Sequence, residues 1–526
     1  MVGRAQNTAF LASSSMAALT LMDRLCVQSH VSLSIRSRVR LDTPDVADQK
    51  FLNGFKGSRE LEENEKLSLS EDDRFAMLAA AQEAIAYRES LKSSAVKPEL
   101  RPADFASNFD SVLPNKGMPA SLVIDDLITT ASAGLHGHAS PRFFGYVCGG
   151  SMPVGAAADF LVTSWGQNAA SSWESPSAAV IEQTVCQWCL ELLGLPLDSG
   201  VGIVSGATVA NAQGIIAARD SLLHRQGWDV FEDGLFGAPD VPVVIGDAAH
   251  SAPMAGVRYA GLGLGRATRL ATDDQGRISL SALRTELEAC KNPPLVILQA
   301  GQINTGAFDP FAEAIPMIQD AGGWAHVDGA FGLWAHAVPS LRDRLTGVDG
   351  ADSWAVDLHK WLNAPYDAGL CIVRDRSALV SAMSARGAYL PGVGETWEPS
   401  DSTLELSRRA RGIPSYAIMR HLGADGIREM ISRHCDMAAY LADHLSTVPG
   451  IEIVNDVVLN QVAIACGTDE KTTAVLERIQ QRAQVYPSHG VWQGRQIIRV
   501  SIINHATSYS DIDLLIEEIL DANGNG

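Results

Sequence analysis

Between residues 200 and 375 the chain alternates between short apolar runs and stretches long enough for an amphipathic helix. The runs fall at 201–204, 241–245, 295–298, 324–327, 354–358 and 369–373. Strand, helix, strand at this rhythm predicts an α/β domain around a mostly parallel sheet, because parallel neighbours need a crossover connection between them. Upstream, Phe75, Leu78 and Ile85 recur at helical spacing over 73–91, and a second helical pattern covers 121–133. Past Pro414 the pattern changes to a long helical run to Leu445, strands near 451–454, 462–466 and 497–502, and a last helix from Ser510. The expected organisation is an extension over 1–70, a helical segment over 71–152, a large α/β domain over 153–412 and a smaller α/β domain over 413–526. Neither an internal repeat nor a low-complexity tract interrupts it.

Composition narrows the function classes. With 41 Lys plus Arg against 61 Asp plus Glu, the net charge of −20 argues against a nucleic-acid partner. The absence of an apolar stretch of 18 residues argues against a membrane span. The eight cysteines are too dilute for a disulfide scaffold, which points to a reducing, cytoplasmic setting. Cys186 and Cys189 form a CxxC, but inside a helical run, where they share a face with Leu190 and Leu193 and read as core rather than as a metal or redox pair. No metal site is expected. Residues 1–40 hold five arginines and one acidic residue, Asp23, so the start reads as a disordered tail, a start codon set too early, or an organelle transit segment.

In open α/β sheets ligands gather at the carboxyl ends of strands. Three polar residues stand where apolar runs stop: His250 in VPVVIGDAAHS, Asp328 in HVDGAFG and Lys360 in DLHKWLNAPYDAGL. Only Lys291 and Lys360, of nine lysines, fall between 117 and 470. Lys360 sits among His359, Trp361 and Leu362, a partly apolar setting that favours a neutral amine and Schiff-base chemistry. A carboxylate paired with such a lysine has a specific use, keeping the ring nitrogen of pyridoxal 5'-phosphate protonated. The stretch GIVSGATVANAQG offers a strand and then a helix opening at Ser205, Gly206, Ala207 and Thr208, where free N–H groups and a hydroxyl can bind the phosphate. Arg499 interrupts an apolar strand in IIRVSIIN with a donor fork suited to a carboxylate.

Taken together, DLHKWLNAPYDAGL, HVDGAFG, DAAHSAPMAGVRYAGLG, SPRFFGY and LSRRARG resemble the group II pyridoxal-phosphate-dependent amino-acid decarboxylases, over roughly residues 73–522. The resemblance implies the fold type I (aspartate aminotransferase-like) architecture, a homodimer with active sites at the subunit interface, and release of CO2 from an L-amino acid to give the amine. By motif match it implies Lys360 as the Schiff-base lysine, Asp328 as the pyridinium partner and His250 as the imidazole stacked on the ring. Ala207, Thr208 and His359 match the phosphate-binding positions, and Asn304 in QINTGAFDP lies near the cofactor. Arg499, Tyr146 and His138 fall to the substrate, Arg142 being a further candidate cation; Arg408 and Arg409 brace the domain junction, and His326, which shares a strand face with Asp328, reads as a supporting residue rather than a catalyst. Tyr389, in the Gly- and Pro-rich RGAYLPGVGETWEPSD, matches the loop tyrosine that returns a proton to the substrate. Relatives with phenylalanine there release an aldehyde instead. Aldehyde-forming chemistry, carbon–carbon lysis and a non-catalytic dimerising paralogue are the alternatives. The small residues Val147, Cys148, Gly149 and Gly150 depart from the aromatic-acid enzymes and leave the substrate open among aromatic, acidic and other amino acids.

Overall fold

The computed structural model describes residues 68–524, apart from 99, 110–111 and 385–397. Helices α1 (Glu71–Ser90) and α2 (Ala120–Ala131) come first, followed by a two-residue strand, β1 (Phe143–Phe144). Helices α3 (Pro153–Trp165) and α4 (Pro176–Leu193) each carry proline in the first turn, where its missing N–H would have no partner in any case. Each ends at a glycine in the left-handed region, Gly166 and Gly194, which stops the helix and turns the chain.

The large sheet follows. Its elements are β2 (Gly200–Val204), α5 (Ala207–Arg225), β3 (Val243–Gly246), α6 (Ser251–Tyr259), β4 (Thr268–Leu270), α7 (Leu280–Ala289), β5 (Leu295–Gln299), α8 (Phe311–Asp320), β6 (Trp324–Asp328), β7 (Ser353–Asp357) and β8 (Gly369–Val373). The strand order is β2-β8-β7-β6-β5-β3-β4. The four pairs from β7 to β4 are parallel, and β8 runs antiparallel to both β7 and β2. The expectation of a mostly parallel sheet holds, and the exception has a simple cause. Only residues 358–368 join β7 to β8, and they form no helix that could carry the chain back for a parallel return. Lys360 lies in that connection.

Side chains alternate across the sheet into two cores. Val244, Val296, Leu298, Val327 and Trp354 face the layer that includes α4 and α8; Cys186 and Cys189 are packed there as well. Val243, Ile245, Leu295, Ile297 and Ala355 face α5 and α6. Burial pushes the Cys189 thiol up to about 12, the behaviour of a core residue rather than of a thiolate. Arg408 donates to the Ile203 carbonyl (2.9 Å) and pairs with Glu182 (2.5 Å), tying the end of β2 to α4.

After α9 (Arg376–Met383), α10 (Gly412–Ser446) is a long helix interrupted at Gly423, whose φ of 63° breaks the helical path. Then come β9 (Glu452–Ile453), β10 (Gln461–Ala465), α11 (Asp469–Arg482), β11 (Tyr486–Trp492), β12 (Arg495–Ser501) and α12 (Tyr509–Gly524). The second sheet has the order β1-β11-β12-β10-β9. Its edge strand β1, parallel to β11, comes from the segment ahead of the large sheet, so the chain stitches the small sheet from both ends. Among the described residues no helix is long and apolar enough to cross a membrane.

Two fully buried histidines lock these layers. His326 on β6 meets the Ser353 hydroxyl (2.7 Å) and Asn211 Oδ1 on α5 (2.9 Å), and burial lowers its pKa to about 3. His434 on α10 accepts the Trp361 indole N–H at Nδ1 (3.0 Å), so its proton sits on Nε2 and points to the Asn504 carbonyl (3.0 Å). Burial lowers its pKa to about 3 as well. Because each folded pKa lies below the unfolded one, the unfolded chain takes up protons first as pH falls, and the histidine's contribution is lost below about pH 6.5. Urea unfolding of wild type and His434→Gln from pH 7 to 4 should therefore show the wild-type advantage shrinking by about 1.4 kcal/mol per pH unit below that point. A constant difference would mean that His434 is protonated in the fold.

Candidate active site

The parallel strands, together with β2, end on one edge of the large sheet, and the chemistry follows from that edge. Asp328 is the last residue of β6, Asp357 the last of β7, and Lys360 and His359 follow in the connection to β8. His250 caps α6 just after β3, its Nδ1 accepting from the Ala252 N–H (3.1 Å). Helix α5 opens at Ala207 just after β2. Ser205, Gly206, Ala207, Thr208, His250, Ala330, Asp357, His359 and Lys360 line a cavity of about 350 Å³.

Charge is concentrated here with little water to screen it. The Asp328 carboxylate is buried, accepts from the Ala330 N–H (3.2 Å) and is pushed above the usual carboxylate range by burial, with His250 and Lys360 opposing. His250 is pushed below the usual imidazole range by burial, although Asp328 pulls it back. Lys360 Nζ lies 2.9 Å from Asp357 Oδ2, and Asp357 Oδ1 accepts the Ala207 N–H at 2.5 Å. His359 accepts from the Ala368 N–H at Nδ1 (3.3 Å) and places Nε2 3.5 Å from Asp357 Oδ1.

The Lys360 loop is held from outside the large sheet. Asn363, at φ 57°, accepts the N–H groups of Gly150 (2.6 Å) and His505 (3.0 Å), and donates to the carbonyls of Trp361 (2.8 Å) and Ile503 (3.0 Å). Gly149 lies so close that a Cβ there would fall 2.3 Å from the carbonyl oxygens of His359 and Lys360. The small residues after SPRFFGY thus have a packing reason, independent of any substrate.

The remaining expected residues divide into groups. Arg499, on β12, is buried and donates to Asn304 Oδ1 (3.5 Å), while its Nε lacks a protein partner. Burial lowers its pKa, and Tyr146 and Cys148 are the neighbours that raise it. Asn304 also donates to the Val491 carbonyl (3.4 Å), bridging the two sheets. Tyr146 is half exposed, its hydroxyl 3.3 Å from that of Tyr486. His138 stands further along the same aromatic cluster, its ring on His136 and Phe143, which in turn meet Tyr486. The Arg142 guanidinium donates to the carbonyls of Leu91, Ser94 and Gln484, so it ties the N-terminal segment down and is not a free cation. Tyr389 lies outside the described residues.

Sequence reasoning overlooked Asp357, Asn363 and the Cys148–Tyr366 pair, whose thiol and hydroxyl lie side by side near Lys360 and Arg499. Asp357 had a visible signal, an acid closing an apolar run three residues before the lysine. Asn363 had none, since its four partners come from three separate parts of the chain.

The donor set suits pyridoxal phosphate. A buried carboxylate with a raised pKa calls for a cationic N–H, an amine faces the neighbouring cavity across His250, and a helix N-terminus with an adjacent hydroxyl can take an anion. The fold and this edge together define a fold type I pyridoxal-phosphate enzyme. The chain belongs to the pyridoxal-dependent decarboxylase family: the model of its conserved domain matches residues 102–466. It is 26% identical to tryptophan decarboxylase 1 of Oryza sativa subsp. japonica, over 82% of this chain and 90% of that protein. It is equally 26% identical, over the same shares, to 4-hydroxyphenylacetaldehyde synthase of Rhodiola rosea. The crystal structure of Oryza sativa TDC with PLP and tryptamine superposes with a TM-score of 0.81 at 23% identity, over 87% of this chain and 99% of that one. The protein is a pyridoxal-phosphate-dependent amino-acid decarboxylase.

The contact at Gly149 makes a direct test. Gly149→Ala must move either the loop that carries Lys360 or the strand of chain above it, at a cost of about 1–3 kcal/mol. A lowered Tm and faster loss of cofactor on dialysis are expected; an unchanged Tm would show that the two backbones do not meet this closely.

Proposed function

We propose that decarboxylation takes place at the cavity lined by Lys360, His250 and the N-terminus of α5, with Asp328 in the adjoining pocket that shares His250, and this juxtaposition is the observation that carries the reading. Lys360 would hold the cofactor covalently, Asp328 would face its ring nitrogen, His250 would cover the ring, and Ala207, Thr208 and His359 would hold the phosphate. Bound there, pyridoxal phosphate supplies a sink for the electron pair left when the carboxylate departs. The protein's own residues do the rest. Arg499, buried and with Nε unpartnered, grips the substrate carboxylate and fixes its orientation, with Asn304 steadying the guanidinium. His250, kept toward its neutral form by burial, covers the ring and excludes water. Tyr389 returns a proton to the substrate carbon, an assignment resting on the loop motif alone. Tyr146 borders the substrate through its place beside Arg499, and His138 stands behind it in the same aromatic cluster.

A homodimer belongs to the same proposal. On α1, Phe75, Leu78 and Ile85, and on α2, Leu122, Val123 and Leu127, are exposed apolar side chains of a kind that a partner subunit would cover. Light scattering should give a mass near twice 56.1 kDa; a monomer at micromolar concentration would remove this part of the proposal.

The aldehyde-forming alternative remains relevant because one relative of equal identity is named an aldehyde synthase. Purified wild type should show a protonated Schiff-base absorbance that borohydride abolishes, and should release CO2 and an equimolar amine from one member of an amino-acid panel. Lys360→Ala should lack the band and lose at least about 10³-fold in turnover. The same assay on Tyr389→Phe should shift product from amine toward aldehyde. Aldehyde and ammonia from wild type would favour the second chemistry, and full turnover in the lysine variant would overturn the site.

A further inference from the structure

The helix end that the preceding reading gives to the cofactor phosphate already holds an anion of the protein's own. Asp357 is almost fully buried, with its side chain 3% exposed, and both oxygens are engaged. Oδ1 accepts from the Ala207 N–H, the first amide of α5, and Oδ2 faces the Lys360 amine. His359, the other residue assigned to the phosphate, turns Nε2 toward the same carboxylate. Gly206 completes the arrangement: a Cβ there would meet the His359 ring at 2.9 Å and Asp357 Oδ1 at 3.2 Å. A phosphate approaching Ala207, Thr208 and His359 therefore meets a carboxylate on the donors that it needs.

We propose that Asp357 is a built-in competitor of the cofactor phosphate, a fixed negative charge that weakens phosphate binding at the start of α5 while keeping the Lys360 amine at the cavity. The physical grounds are simple. Helix-terminal amides favour one anion, and a second negative charge a few ångströms away in a site with little water is repelled. Asparagine has the same shape. Its carbonyl could still accept from Ala207, its amide could donate to a phosphate oxygen, and the charge would be gone. The inference rests on the assignment of the phosphate to Ala207, Thr208 and His359, and the test separates the two.

The probes are pyridoxamine 5'-phosphate and pyridoxamine, which carry an amine in place of the aldehyde and so cannot bond covalently to Lys360. Their affinity ratio on the full chain freed of cofactor, measured by calorimetry, isolates the phosphate contribution. Asp357→Asn should raise that ratio about tenfold. A ratio that stays the same or falls, or equal weakening of both probes as expected of a merely structural residue, would overturn the inference while leaving the phosphate assignment standing. A wild type that shows no preference for the phosphorylated probe would overturn the assignment and the inference with it. If Asp357→Asn does not accumulate as folded protein, Asp357→Ser removes the same charge in a smaller volume and is read by the same ratio.

Discussion

The geometry of this site depends on one turn being held from several directions. The connection from β7 to β8 is short, carries the only lysine that lines the cavity among the described residues, and has no regular hydrogen-bond ladder of its own. Asn363 supplies what the loop lacks. Its side chain joins the carbonyl of Trp361 to the N–H of Gly150 ahead of the large sheet and to the backbone of Ile503 and His505 after β12. Four hydrogen bonds on one buried amide, each worth about 1 kcal/mol net, matter less as stability than as location. They place Lys360 relative to both ends of the chain. Trp361 and His434 extend the same anchorage into α10.

A lysine so placed then sets the electrostatics around it. Asp328, Asp357 and His250 lie near Lys360 with little solvent, Arg499 lies near His250, and burial shifts Asp328, His250 and Arg499 toward their neutral forms. Isolated charges in such a setting would be costly. They persist together because each sign has the other within reach, and because the parallel strands that end on this edge bring their first loop residues to one place. The arrangement is a property of the topology before it is a property of any residue.

How much of this was legible in the sequence follows from which forces are local. The six apolar runs became strands within one or two residues, since burial on both faces of a central strand leaves an uninterrupted apolar stretch. Strands β1, β4 and β11 were missed. Two are only two or three residues long, and β11, which reads YPSHGVW, draws its strand character from its neighbours β12 and β1 rather than from its own composition. His250, Asp328, Lys360 and Ala207 could be placed on one sheet edge because each stands at or just after a strand end. Arg142 misled because a guanidinium near an aromatic motif looks alike whether it meets a ligand or three carbonyls. The role of Gly149 as a spacer against the Lys360 loop required coordinates, because the steric conflict joins residues more than two hundred positions apart.

The strap over 145–152 carries this argument to substrate choice. Tyr146, Val147 and Ser151 all take positive φ without being glycine, a cost of about 1–2 kcal/mol each that persists only where surroundings over-determine the backbone. Here they do. Strand β1 pins the strap to β11 at one end, Arg88 binds the carbonyls of Gly150 and Ser151, and Asn363 takes the Gly150 N–H and, through its own carbonyl, the Met152 N–H. Between these ties lie Tyr146 and Cys148, the strap residues nearest Arg499 and Tyr366. Their side chains are therefore positioned by the Lys360 loop on one side and the small sheet on the other. A side-chain replacement at Tyr146 or Cys148 would leave these ties intact, whereas one at Gly149, Gly150 or Asn363 would move the lysine as well. The strap and the Lys360 loop share their backbone contacts at this point, and Gly149 and Gly150 mark where they join.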